Sequence, residues 1–131
     1  MFLGINHVGL VVKSIDETLD VLKLFGAQEK GRKTIPERGQ TSCMVQLGSG
    51  MFELMEPYGD TGVVPKFLAE HGQGIHHVSL LCDNITTEIG RLSENGVRIL
   101  GTPDNPDHVV FTHPKSTGGV LYELTDKPFE E

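Results

Sequence analysis

His7, Glu53, His77 and Glu123 stand out in this 131-residue chain as two imidazoles and two carboxylates set at one repeated interval. Each histidine precedes its glutamate by 46 positions, and the second pair repeats the first at a shift of 70. All four interrupt apolar, strand-like runs. A carboxylate withdrawn from water without a partner costs several kcal/mol or becomes protonated, and two carboxylates near two imidazoles offset that cost most simply by holding a cation. Such a set suits a borderline divalent ion such as Zn, Ni, Co, Mn or Fe, with positions left for water or a substrate. The structural alternative is a pair of His–Glu hydrogen bonds that merely join two halves of the chain.

The strands and helices around these residues repeat as well. A gapless shift of 70 places Ile5, Val8, Leu10, Ile15, Leu22, Gly26 and Leu54 on Ile75, Val78, Leu80, Ile85, Leu92, Gly96 and Leu124. Ile5 to Val12 reads as a strand, and Ser14 to Phe25 as a helix with Ile15, Leu19 and Leu22 at helical spacing. Ser14 and Glu17 form a capping pattern at its start, and Gly26 supplies a left-handed stop. Strands follow at Gln28 to Ile35, Thr41 to Leu47 and Met51 to Pro57, the last two joined at Gly48-Ser49-Gly50. A short helix is expected from Val63 to Glu70.

The second half begins with a strand from Ile75 to Cys82. Ile89 and Leu92 continue a helix from Ile85 to Asn95-Gly96, and strands follow at Val97 to Leu100, Val109 to Thr112 and Val120 to Thr125. Asn84-Ile85-Thr86 matches a glycosylation pattern but reads as the start of this helix. The fold class is α+β: two tandem βαβββ modules, about 1–62 and 72–131, with a linker and short helix at 63–71. Neither module covers both faces of its own sheet. The expectation is one domain with a curved, partly open sheet around a metal-binding cleft and helices outside.

Strand alternation puts His7 on a face with Ile5 and Gly9, His77 with Ile75 and Ser79, Glu53 with Met51 and Met55, and Glu123 with Leu121 and Thr125. His76 falls on the opposite face and reads as structural. His71 and His113 lie in loops and read as exposed or loop-stabilising, His108 precedes a strand beside Pro106-Asp107, and none of the three is taken as a ligand. Met44, Met51 and Met55 read as core, although two of them flank Glu53.

A net charge of −7 argues against a broad nucleic-acid surface, which needs a basic patch. The two cysteines, Cys43 and Cys82, have no CxxC spacing, and no apolar leader follows Met1. With no run near the length of a membrane span, the expectation is a cytoplasmic protein with reduced thiols.

The repeated βαβββ pattern with His7, Glu53, His77 and Glu123 resembles the vicinal oxygen chelate superfamily, which includes glyoxalase I, extradiol dioxygenases, antibiotic-resistance proteins and methylmalonyl-CoA epimerases. Three stretches are similar to the epimerase family in particular: Phe52 to Pro57, Lys66-Phe67-Leu68 through Gly74-Ile75-His76-His77, and His113-Pro114-Lys115-Ser116-Thr117-Gly118-Gly119-Val120. The resemblance implies a divalent ion (Co, Mn, Ni or Zn) held by His7, Glu53, His77 and Glu123, an acyl-CoA substrate, and a homodimer.

It also implies epimerisation beside a thioester carbonyl, with Glu123 and Glu53 as bases on opposite faces. Ser42 falls where some epimerases carry a second carboxylate base. Lys115 with the hydroxyls of Ser116 and Thr117 is a candidate site for the CoA phosphates, with a tight turn as the structural alternative. A glyoxalase-type lactoylglutathione lyase and a non-catalytic small-molecule binder are the competing functions.

Overall fold

The computed structural model describes residues 1–129. In chain order it contains β1 (Phe2–Val11), α1 (Ile15–Leu24), β2 (Gln28–Ile35), β3 (Gln40–Leu47), β4 (Gly50–Pro57), α2 (Val63–His71), β5 (Gly74–Cys82), α3 (Ile85–Glu94), β6 (Ile99–Leu100), β7 (Val110–Thr112) and β8 (Tyr122–Thr125). The α+β class and the repeated βαβββ order are as the hydrophobic pattern predicts. Of two 3-10 turns, Pro36–Arg38 was not foreseen, whereas Pro114–Ser116 is the tight turn weighed as the structural alternative at Lys115; each opens on a proline, whose fixed φ favours such a turn.

Strands β6 and β8 start later than expected because loop bonds claim their first residues. The Val97 amide donates to the Leu92 carbonyl and closes α3, while the Val120 carbonyl accepts the Thr117 hydroxyl.

Both module helices start alike. The Ser14 hydroxyl accepts the Glu17 amide at 3.2 Å, and the Asn84 side chain accepts the Thr87 amide at 3.0 Å. A second acceptor comes from just past the last strand's core: Glu56 Oε1 takes the Ile15 amide and Asp126 Oδ2 the Ile85 amide, each at 3.0 Å. Glu56 and Asp126 are themselves 70 positions apart. The other Asp126 oxygen lies 2.8 Å from His108 Nδ1, whose backbone is left-handed at φ 52°. Burial pushes the Asp126 carboxyl up, and the Ile85 amide and His108 outweigh it, so its pKa lies below the ordinary value.

The chain forms two compact units, His7–His76 and Met1–Asn6 with the described residues from His77 onward. In the first, the strand order is β2-β3-β4-β1, antiparallel except for β4 with β1. Its core packs Ile15 and Leu19 of α1 on Cys43, Val45 and Leu54. On the other face, Val64 of α2 joins Val11 and Met55, with Phe67 and Leu68 beside them. In the second unit the order is β5-β8-β7-β6, and Ile85 of α3 packs on Cys82, Val110 and Leu124. Full burial of each such aliphatic side chain contributes about 1.5–3 kcal/mol.

The pairing register repeats with the sequence. Val8, Gly9 and Leu10 of β1 lie opposite Phe52, Glu53 and Leu54, and Val78, Ser79 and Leu80 of β5 lie opposite Tyr122, Glu123 and Leu124. The gapless register fails between the helix and the last strand. Met44 faces Glu53 whereas Phe111 faces Glu123, an offset of 67 rather than 70.

Thr112 therefore takes the place of Val45, not of Ser42, and stands in the second core. Its Oγ1 is buried and has no hydrogen-bond partner. Thr112→Val keeps the shape and removes the stranded hydroxyl, so it should raise stability by about 1–3 kcal/mol in a denaturant titration. A loss of stability would show that the hydroxyl is satisfied in solution.

Candidate functional site

His7 sits where β1 turns buried on alternate residues: His7, Gly9 and Val11 share the covered face, while Val8 and Leu10 are half-buried on the other. His7 is 7% exposed, and its Nε2 lies 3.6 Å from Glu53 Oε1. Gly9, directly opposite Glu53, contributes no side chain between them. The sequence expectation that His7 and Glu53 share one face is met.

His77 occupies the same register on β5. It is 3% exposed, and the edge of its ring meets Phe111 at a centroid distance of 6.3 Å. Glu123, 9% exposed, is flanked on its two neighbouring strands by Ser79 and Phe111. Phe111 was not singled out in the sequence; the offset of β7 brings it there.

Among the described residues, His7, Glu53 and His77 offer a set of donors that could hold one metal ion. Two imidazole nitrogens and a carboxylate oxygen suit a borderline divalent cation, and their burial fits a ligand role better than a solvated one. Glu123 is outside that set; its register on β8 is what matches it to Glu53.

The other histidines do different work. His76 lies edge-on to Phe67 of α2 at 5.1 Å, and Phe67 also stacks on His71 at 4.8 Å. Burial pushes the His76 imidazole pKa down, against the pull of the Glu53 charge. His113 Nδ1 accepts the Lys115 amide at 3.1 Å, a loop-stabilising role as expected. Met55 belongs to the core beneath α2.

Residues 6–111 match the model of the glyoxalase/bleomycin resistance protein/dioxygenase superfamily. The chain belongs to this superfamily. Within it, the chain is similar to the mitochondrial methylmalonyl-CoA epimerase of Dictyostelium discoideum, with 37% identity over 94% of this chain and 78% of that one. A crystal structure of a methylmalonyl-CoA epimerase shares 32% identity and superposes with a TM-score of 0.90, covering 98% of both chains. A variant Streptomyces coelicolor methylmalonyl-CoA epimerase, in complex with 2-nitronate-propionyl-CoA, gives a TM-score of 0.82 at 25% identity over 95% of this chain and 96% of that one.

Two further polar features lie on β3 and in the loop before β8. Gln40 and Ser42 are buried on β3, and Gln40 Nε2 donates to Ser42 Oγ at 2.5 Å. Polar residues in a strand read as solvent-facing, so sequence alone gave no sign of this pair. In the loop before β8, Ser116 Oγ accepts the Arg98 amide at 3.0 Å and donates to the His113 carbonyl at 2.8 Å. Thr117 Oγ1 donates to the Val120 carbonyl at 2.8 Å, while Lys115 is exposed.

Proposed function

We propose that the chain is a methylmalonyl-CoA epimerase, interconverting the (2R) and (2S) thioesters by exchange of the α-proton. The observation that carries this reading is the His7–Glu53 pairing, whose strand register recurs for His77 and Glu123 in a chain whose relatives bear that activity in their names. His7, Glu53, His77 and Glu123 are the ligands we assign to a divalent ion, Co, Mn, Ni or Zn. When bound, the ion supplies positive charge where the enolate oxygen develops its negative charge.

The chain's own groups move the proton. The Glu123 carboxylate accepts it from one face of the α-carbon, and the Glu53 carboxyl returns one to the other face; the reverse reaction exchanges the roles. Two equivalent register positions supplying two carboxylates support this division. Small neighbours, Gly9 beside Glu53 and Ser79 beside Glu123, leave room for the reacting carbon.

Lys115 is the contact we assign to the CoA phosphates, on a turn that Ser116 and Thr117 hold in place. Lys115→Ala should raise KM for methylmalonyl-CoA about threefold to fivefold with kcat unchanged, as for loss of one exposed charge contact. An unchanged KM would remove the phosphate role. A homodimer completes the reading, supported by the exposed apolar side chains of Leu3 and Ile5.

No helix among the described residues is long and apolar enough to cross a membrane. The free, buried thiols of Cys43 and Cys82 suit a reducing, cytoplasmic setting. The experiment that tests the function follows α-proton exchange in deuterium oxide. Metal-reconstituted protein should exchange the α-proton of methylmalonyl-CoA, and none should exchange in propionyl-CoA at a comparable rate.

A further inference from the structure

The strand beside Glu53 carries a polar device that the proton transfer does not use. Gln40, Ser42 and Met44 alternate onto one face of β3, and on β4 they lie opposite Pro57, Met55 and Glu53. Ser42 is thus a diagonal cross-strand neighbour of Glu53, a relation that spans roughly 7–8 Å between such positions.

Ser42 is 6% exposed and Gln40 4%, on the face that carries Met55 and Glu53, where Val64, Phe67 and Leu68 of α2 pack beside Met55. Gln40 Nε2 donates to Ser42 Oγ, so the serine oxygen is engaged as an acceptor. Among the described residues, the Ser42 hydroxyl proton has no acceptor. A buried donor left in that state destabilises the free protein, and the cost is recovered when an acceptor arrives.

The device is held firmly at its base. A Cβ on Gly39 would collide with the Thr61 carbonyl, and one on Gly62 with the Arg38 carbonyl, so the two glycines let these loops close on each other just before β3 and α2 begin. The Gly39 carbonyl also accepts the Tyr58 amide at 2.8 Å. Gln40 therefore starts its strand from a fixed point.

We propose that Ser42, oriented by Gln40, is a specificity-determining donor that recognises the free carboxylate of a malonyl thioester. The proposal rests on the epimerase reading and adds to it how a malonyl thioester is told from a simple acyl thioester. A hydroxyl cannot serve as the second base, so its role is to bind and align; a neutral donor also accepts a carboxylate where another carboxylate would repel it. Ser42 touches substrate, and Gln40 is a positioning residue that acts through it.

Calorimetric titration of metal-reconstituted protein with malonyl-CoA and with propionyl-CoA, which lacks the carboxylate, separates the outcomes. Ser42→Ala should weaken malonyl-CoA binding about tenfold or more, since a hydrogen bond to a charged group is lost, and leave propionyl-CoA within about twofold. Ser42→Thr should retain most of the preference, and Gln40→Leu should lose part of it. Ser42→Cys, close in size with a weak donor, should behave like Ser42→Ala and serves if the alanine variant folds poorly.

Equal weakening of both ligands, or unchanged malonyl-CoA binding, would overturn the assignment. Wild-type protein with no preference for malonyl-CoA would sink the epimerase reading and this inference together. A preference that survives Ser42→Ala and Ser42→Cys would sink the inference alone.

Discussion

Glu123→Gln should lower α-proton exchange of methylmalonyl-CoA by about 10²–10⁴-fold, the range a positioned general base contributes. Gln keeps the size and one oxygen donor of Glu, and Phe111 and Ser79 still flank the position on either side. The fold and part of the metal affinity should therefore survive, so the loss falls on proton transfer. Measuring kcat, bound metal and thermal midpoint together separates the roles. Exchange at the wild-type rate would remove Glu123 as a base; lost exchange with lost metal would make it a ligand only.

His77→Ala should be as severe for a different reason. His77 is almost wholly buried and is one of the donors that could hold a metal ion, so the substitution removes a nitrogen ligand and opens a gap against Phe111. Metal content after dialysis should fall well below one per chain, and exchange should drop about 100-fold or more. Stripping the wild-type protein with EDTA should reproduce the activity loss. It should also lower the thermal midpoint, because saturating a site at about 100 times its Kd stabilises the folded state by about 2.7 kcal/mol. Full metal content in His77→Ala would show that the histidine is structural.

Much of this arrangement was legible in the sequence because the repeat acts as its own control. One histidine in a strand carries little information, but His7 and His77 with Glu53 and Glu123 at one spacing imply one register used twice, and β1 with β4 and β5 with β8 have that register. The helix starts at Ser14 and Asn84 were equally readable, since capping is local. What could not be read depends on contacts far apart in the chain. The bonds from Glu56 to Ile15 and from Asp126 to Ile85 each span 41 positions, and only the shift of 70 between the two acids could have hinted at them.

The middle strands were the other blind spot. Pro- and Gly-containing loops in the second half shorten β6 and move β7 by three positions, which puts Phe111 beside Glu123 and leaves the Thr112 hydroxyl stranded in the core. Gln40 was missed, and the burial of Ser42 with it, because alternation shows which residues share a face, not whether α2 will cover that face. The hydroxyls of Ser116 and Thr117 illustrate the converse, since residue types suited to an anion are engaged within their own turn.

Proton NMR of (2R)- or (2S)-methylmalonyl-CoA in deuterium oxide, with protein reconstituted in turn with Co, Mn, Ni and Zn, follows metal-dependent exchange at the α-carbon itself. The α-proton signal should be lost with at least one of these ions, the loss abolished by EDTA and restored when the ion is returned. No exchange with any of them, in protein shown to carry the metal, would contradict the epimerase reading.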